Sequence, residues 1–126
     1  MAKRVLDVGN CGPDHEAIRR MLEKTFHAEV VQADGLDDAL AALRQGPFDL
    51  VLVNRKLDQD YSDGLDVIKA VKADAKLAPA PCMLITNYPD QQQVAVSAGA
   101  EYGFGKKELH NEETRARLAK FLSIPN

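Results

Sequence analysis

The run Phe48-Asp-Leu-Val-Leu-Val-Asn54 constrains this chain more than any other stretch. It is apolar almost throughout, carries β-branched valines, and stops abruptly at one polar residue. Such a run suits a strand buried on both faces, as in the middle of a parallel sheet. Gly46-Pro47 just before it marks a turn. Asn54 therefore stands where a central strand ends and its loop begins. In open α/β sheets, ligands and chemistry collect at the carboxyl ends of the strands. An Asp at this place would be a candidate nucleophile, and the chain has an Asn.

The remaining segments alternate around this run. Arg4-Val-Leu-Asp-Val8 reads as a first strand, ending at Gly9-Asn10-Cys11-Gly12. Pro13 suits the opening of a helix, with Asp14 and Glu16 in its first turn and Ile18, Met21 and Leu22 at helical spacing. Glu29 to Ala33 is a second strand. Leu36, Leu40 and Leu43 mark a second helix that Gly46 closes. The central strand is followed by a polar loop with Asp58, Asp60 and Asp63. Leu65, Ile68 and Val71 then mark a third helix that fades near Lys76. Cys82 to Ile85 is a fourth strand ending at Thr86-Asn87, and Pro89-Asp90 opens a short helix through Val94 to Ala98. Glu101 to Gly105 is a fifth strand ending at Lys106-Lys107, and a last helix covers Asn111 to Leu122. Five strand–helix alternations predict a parallel sheet with helices on both faces, three layers in all. For a doubly wound sheet of this size the expected strand order is 2-1-3-4-5. No linker or repeat divides residues 1–126, so a single domain is expected.

Composition excludes several function classes. The chain is 45% apolar and 28% charged, with a net charge of −3, which gives no general reason to bind nucleic acid or an anionic membrane. No apolar segment approaches the ~20 residues of a membrane span. The start, Met1-Ala-Lys-Arg, has no signal-peptide pattern, so a cytoplasmic protein is expected. Cys11 and Cys82 are too few for a disulfide framework or a zinc site and read as reduced thiols.

The strand ends carry Gly9-Asn10, Asn54, Thr86 and Lys106. With Asp63-Gly64-Leu65 opening the third helix, Leu84-Ile-Thr86, and Ala98-Gly-Ala100 placed before Lys106, the chain resembles the receiver domain of bacterial two-component response regulators. The resemblance implies a CheY-like, flavodoxin-like fold. It implies a role in signal transduction through phosphorelay, with a histidine kinase, an output domain or another regulator as partner. In such domains an acidic pair after the first strand helps to hold Mg²⁺, and an Asp at the end of the third accepts a phosphoryl group. A Thr or Ser after the fourth and a Lys after the fifth bind the phosphoryl oxygens. Mg²⁺ favours carboxylate oxygens and neutralises charge during transfer.

This chain keeps Thr86 and Lys106 and departs elsewhere. Gly9 and Asn10 stand at the acidic pair and Asn54 at the acceptor, leaving one lysine and no carboxylate at the matched positions. An amide nitrogen is not a nucleophile, so neither phosphorylation at Asn54 nor strong Mg²⁺ binding is expected. Restoring acids at residues 9, 10 and 54 would be expected to rebuild the metal site. The aromatic residue common three places before the lysine is Gly103 here, between Tyr102 and Phe104.

The reading is thus a pseudo-receiver with no catalytic residue, no metal and no enzymatic activity. It would act as a phosphorylation-independent protein-interaction module, through the face of the fourth helix, fifth strand and fifth helix or as a homodimer. Two alternatives stand beside it: phosphorylation at a displaced acid, Asp58 or Asp60, with Asp7 as a substitute metal ligand, or a cleft that binds an anionic metabolite. Lys106 is read as reaching the side-chain oxygen of Asn54 in preference to an anion. Asp7, inside a strand covered on both faces, needs a partner, for which Lys106 or Arg55 is expected. Asn54 can also be only an amide that ties its loop. Arg115, Arg117 and Lys120 read as the solvated face of the last helix.

Overall fold

The computed structural model describes residues 2–123. Its strands are β1 (Arg4–Val8), β2 (Glu29–Ala33), β3 (Leu50–Asn54), β4 (Cys82–Ile85) and β5 (Glu101–Phe104). Between and after them lie α1 (Gly12–Phe26), α2 (Leu36–Gln45), α3 (Gly64–Ala73), α4 (Pro89–Ser97) and α5 (Glu112–Leu122), with a short 3-10 turn at Lys106–Glu108. All strand pairs are parallel, in the order β2-β1-β3-β4-β5. This is the expected doubly wound architecture.

Side-chain alternation sends successive strand residues to opposite faces, and each face finds its own helices. Leu6, Val8, Val51, Val53 and Leu84 pack with Ala39, Leu43, Val67, Ile68 and Ala95 from α2, α3 and α4. Val5, Leu50, Leu52, Met83, Ile85 and Phe104 pack with Ile18, Leu22, Leu118 and Leu122 from α1 and α5. Asp7 has the parity of Val5, so it points toward α1 and α5, and it is wholly buried there. Burial on both faces explains why β3 reads as a continuous apolar run.

Register fixes the functional edge. Val5–Val8 lie opposite Leu50–Val53, and Val51–Asn54 lie opposite Cys82–Ile85. The central strands therefore finish level, and their loops share one edge. Between β4 and β5 the register slips between Met83 and Ile85. The third helix starts as its sequence predicts: Asp63 caps it, the Leu65 amide donating to Asp63 Oδ1 at 2.9 Å. It ends at Ala73, three residues earlier than the fading periodicity suggests.

Asp63→Ala removes that cap and is expected to lower stability by about 1 kcal/mol. Asp66→Ala, in the same first turn, is expected to cost only a few tenths of a kcal/mol through the helix dipole. Urea midpoints of the two variants check the difference.

Candidate functional site

The edge where β1, β3, β4 and β5 end gathers the residues that the sequence singles out. Asn54, Thr86 and Lys106 line one cleft of about 190 Å³ together with Arg55, Lys56 and Tyr88. Asn54 donates from Nδ2 to the carbonyl of Lys56 at 2.7 Å, and more weakly to that of Gly9 at 3.5 Å. Its amide thus ties the loop after β3 to the loop after β1. Thr86 is buried, and its hydroxyl oxygen accepts from the Tyr88 amide at 3.3 Å.

Lys106 does not reach Asn54 as the sequence reading expects. Its ammonium donates to Asp14 Oδ2 at 2.7 Å, and this ion pair joins the loop after β5 to the first turn of α1. A carboxylate is a better acceptor for an ammonium than an amide oxygen. The pair holds the Asp14 carboxyl below its ordinary range, chiefly through the Lys106 hydrogen bond.

The partners expected for Asp7 are also corrected. Neither Lys106 nor Arg55 bonds to it. Asp7 Oδ2 lies 2.7 Å from His15 Nδ1, and Asn10 Nδ2 donates to Oδ1 at 2.5 Å. His15 lies one turn into α1, the helix that covers this face of β1. Burial pushes the Asp7 carboxyl above its usual value, against the pull of the His15 and Asn10 hydrogen bonds and the charges of His15 and Lys106. Both Asp7 oxygens are engaged. Asp14 is held by Lys106, and among the described residues no three His, Cys, Asp or Glu side chains converge as metal ligands. The groups that stand at the strand ends do not fit a hard divalent cation.

Gly9 cannot simply be exchanged for Asp. Its φ is +81°, and a Cβ there would lie 2.3 Å from Leu57 Cδ2 and 3.2 Å from Leu57 Cα. The expectation that three acids could be restored is therefore corrected: residue 9 has no room for one unless Leu57 moves. Asp58 and Asp60 are exposed. Asp60 Oδ1 accepts from both the amide and the hydroxyl of Ser62, at 3.0 and 2.6 Å, which lowers its pKa.

The sequence reading missed Gln92. It lies in α4 and is buried, whereas Val94 and Val96 of the same helix are exposed. Its Nε2 donates to the carbonyls of Leu84 and Thr86 at 3.0 and 3.3 Å, and its Oε1 accepts from the Gly103 amide at 2.8 Å. One side chain thus bridges β4 and β5 beside their register slip. Gly103 leaves space for it and for nothing larger: a Cβ there would sit 2.3 Å from the Leu84 carbonyl oxygen. Arg117 is likewise not simply solvated. It stacks 4.7 Å from the Tyr102 ring centroid and donates to the Gly103 carbonyl at 3.2 Å, while Arg115 and Lys120 are exposed.

The family model of the response regulator receiver domain matches residues 14–119. The chain belongs to the response regulator receiver family. Its fold is shared with solved relatives of low identity. A putative response regulator from Chloroflexus aurantiacus is 20% identical, with a TM-score of 0.82, over 97% of this chain and 98% of its own. The chemotaxis protein CheY4 of Vibrio cholerae is 20% identical, with a TM-score of 0.76, over 97% of this chain and 99% of its own. The phosphorylated cyanobacterial phytochrome response regulator RcpA is 20% identical, with a TM-score of 0.77, over 100% of this chain and 98% of its own. Receiver domains work in two-component signalling, with partners such as kinases and output domains. In this receiver no described helix is long and apolar enough to cross a membrane.

Two outcomes follow for the buried polar groups. The raised carboxyl of Asp7 contributes stability that is complete below the ordinary carboxylate pKa and is lost as pH rises through its folded value. Asp7→Asn removes this titration. Relative to the parent, the variant is expected to gain stability as pH rises above the ordinary carboxylate range. Urea melts at several pH values measure the difference; a change of opposite sign would show that ionised Asp7 is net stabilising beside His15. Gln92→Ala leaves the buried Gly103 amide without its acceptor and is expected to cost about 1–3 kcal/mol. Faster amide exchange at Gly103 would localise that loss.

Proposed function

We propose that this receiver is a phosphorylation-independent interaction module, a pseudo-receiver, and not an enzyme. The observation that carries the reading is the end of β3. Asn54 supplies an amide where phosphoryl transfer needs a carboxylate nucleophile, and that amide is bonded into the loop through the Lys56 carbonyl. The acids that lie nearest are committed elsewhere, Asp7 to His15 and Asn10 and Asp14 to Lys106. With no carboxylate at residues 9, 10 and 54, Mg²⁺ is held weakly or not at all. Without that ion the charge that builds during phosphoryl transfer has no counterweight. Asn54, Thr86 and Lys106 then line a cleft that keeps part of the family's outline and lacks its acceptor chemistry, with Gly9 and Asn10 outside its lining.

The structure around α4 supports the interaction half of the reading. Gln92 bonds α4 to both β4 and β5, so this face has a fixed shape. Val94 and Val96 are 45% and 40% exposed on α4, and the basic side chains of Arg115 and Lys120 are exposed on α5. Exposed apolar side chains on α4 and exposed basic ones on α5 are the kinds of contact a protein partner uses. The partner belongs to a signalling system: a kinase, an output domain, another regulator or a second copy. The displaced-acid reading draws no support from Asp60, whose carboxylate is engaged by Ser62, or from Asp58, which is four residues beyond the strand end and loses in-line geometry.

Incubation with acetyl phosphate and Mg²⁺ is expected to add no phosphoryl mass to the protein. Asn54→Asp is expected to stay unlabelled as well, because the metal ligands are still missing. Labelling of the parent protein mapped to Asp58 or Asp60 would replace this reading with the displaced-acid one.

A further inference from the structure

The edge of the sheet where β3 and β4 begin lies at the far end of those strands from Asn54 and Thr86. It carries a hollow of about 460 Å³, framed by the end of α2, the connector from α3 to β4 and the end of α5. Leu43, Phe48 and Leu77 line it and are themselves buried, so they form its floor. Pro47, Pro79 and Pro81 add ring faces that carry no N–H. Several carbonyls of the lining are already engaged inside the protein. That of Pro47 accepts from the Arg4 guanidinium at 3.0 Å, that of Ala80 from the Lys72 ammonium at 2.8 Å, and that of Pro81 from the Val51 amide at 2.8 Å.

The charged residues of the lining are Asp49, Lys76 and Lys120. The Asp49 carboxylate accepts from the Arg4 amide at 2.8 Å and lies 4.0 Å from the Lys3 ammonium, so its charge is matched. Asp74, close to Lys76 in the chain, pairs with Arg44 at 3.7 Å. Lys76 and Lys120 are exposed and form no ion pair among the described residues. An apolar floor thus meets two uncommitted cations, on a chain whose net charge is −3.

We propose that this hollow binds a small apolar carboxylate, with Lys76 and Lys120 as partners of its head group. Its volume falls in the range of ~300–1,000 Å³ of small-molecule sites, which are mainly apolar with a few polar groups that fix orientation. The local excess of positive charge selects an anion over a neutral or cationic ligand of the same shape. β3 and β4 are internal strands, so no free strand edge is offered here for a peptide backbone to pair with. That favours a small molecule over an extended segment of another protein. The inference does not depend on the interaction reading above, which acetyl phosphate labelling tests separately.

The test is a titration of isotope-labelled protein with octanoate at constant ionic strength, with 1-octanol, octylammonium and acetate for comparison. The amides of Phe48, Leu77, Ala80 and Phe121 report binding. Octanoate is expected to give saturable shifts, with a Kd in the ~mM range or below. Octanol, of the same length and without charge, is expected to bind about threefold more weakly or worse, octylammonium more weakly still, and acetate without saturation. Lys76→Gln and Lys120→Gln, both at exposed positions, are expected together to bring octanoate down to the affinity of octanol and to leave octanol unchanged. Absence of saturation by octanoate at these amides would overturn the proposal. Equal affinity of octanol and octanoate in the parent protein would do the same, as would a double variant that binds octanoate like the parent. Saturation of these amides by a leucine- and glutamate-rich peptide, with none by octanoate, would assign the hollow to a protein partner instead.

Discussion

A parallel sheet covered on both faces has no water within reach of its central strands. Polar side chains are therefore confined to the strand ends, or must carry their partners with them. That constraint organises this molecule. It makes β3 apolar from Leu50 to Val53 and delivers its first polar side chain, Asn54, to the edge where four strands finish together. The family has its phosphoryl-transfer site at this edge. The same constraint explains why Asp7 and Gln92, buried away from the strand ends, are each bonded at both ends of the polar group.

Charge at the edge is redistributed compared with the pattern that the family resemblance implies. The carboxylates have not vanished from the region. Asp14 enters from the first turn of α1 and Asp7 from inside β1, and each is engaged by a near neighbour. The cations have moved as well: Lys106 turns toward α1, and Arg55 and Lys56 take up the other side of the cleft. An acid-rich pocket closed by one lysine is thus divided in two. Acids lie on the α1 side, and Arg55 and Lys56, which form no ion pair among the described residues, line the cleft after β3 and β4.

The fold was legible because its signals are local. Apolar runs, turn residues and i, i+4 spacing gave the five strands and five helices, with ends displaced by only a few residues, and the usual order of doubly wound five-stranded sheets supplied the strand order. The positions of Asn54, Thr86 and Lys106 followed from the same reading. Their bonding did not. The Lys106–Asp14 pair joins residues far apart in the chain, and nothing in the neighbourhood of either predicts the other. His15 was within reach of simple reasoning, since Asp7 shares the parity of Val5 and must face the helix that follows. Gln92 left a weaker trace. A helix in which glutamine takes an inward position and Val94 and Val96 face outward departs from ordinary amphipathic order, and that departure was itself the signal.

Gln92 also bears on how such a domain would move. A switch at this place needs two arrangements of nearly equal free energy. A rotating aromatic side chain at residue 103 could have supplied them, but a Cβ at that position would collide with the Leu84 carbonyl. What fills the space is an amide that satisfies three backbone groups across two strands. Any rotation of Gln92 out of this place would leave buried donors and acceptors unpaired, a cost of a few kcal/mol at least. The face built on α4 and β5 is consequently tied by hydrogen bonds, one of which ends on the carbonyl of Thr86, a residue that lines the cleft at the strand ends. The Gln92 side chain therefore ties the shape of the α4–β5 face to the backbone of a residue that lines the cleft, so the two regions of this small sheet share one hydrogen-bonded side chain.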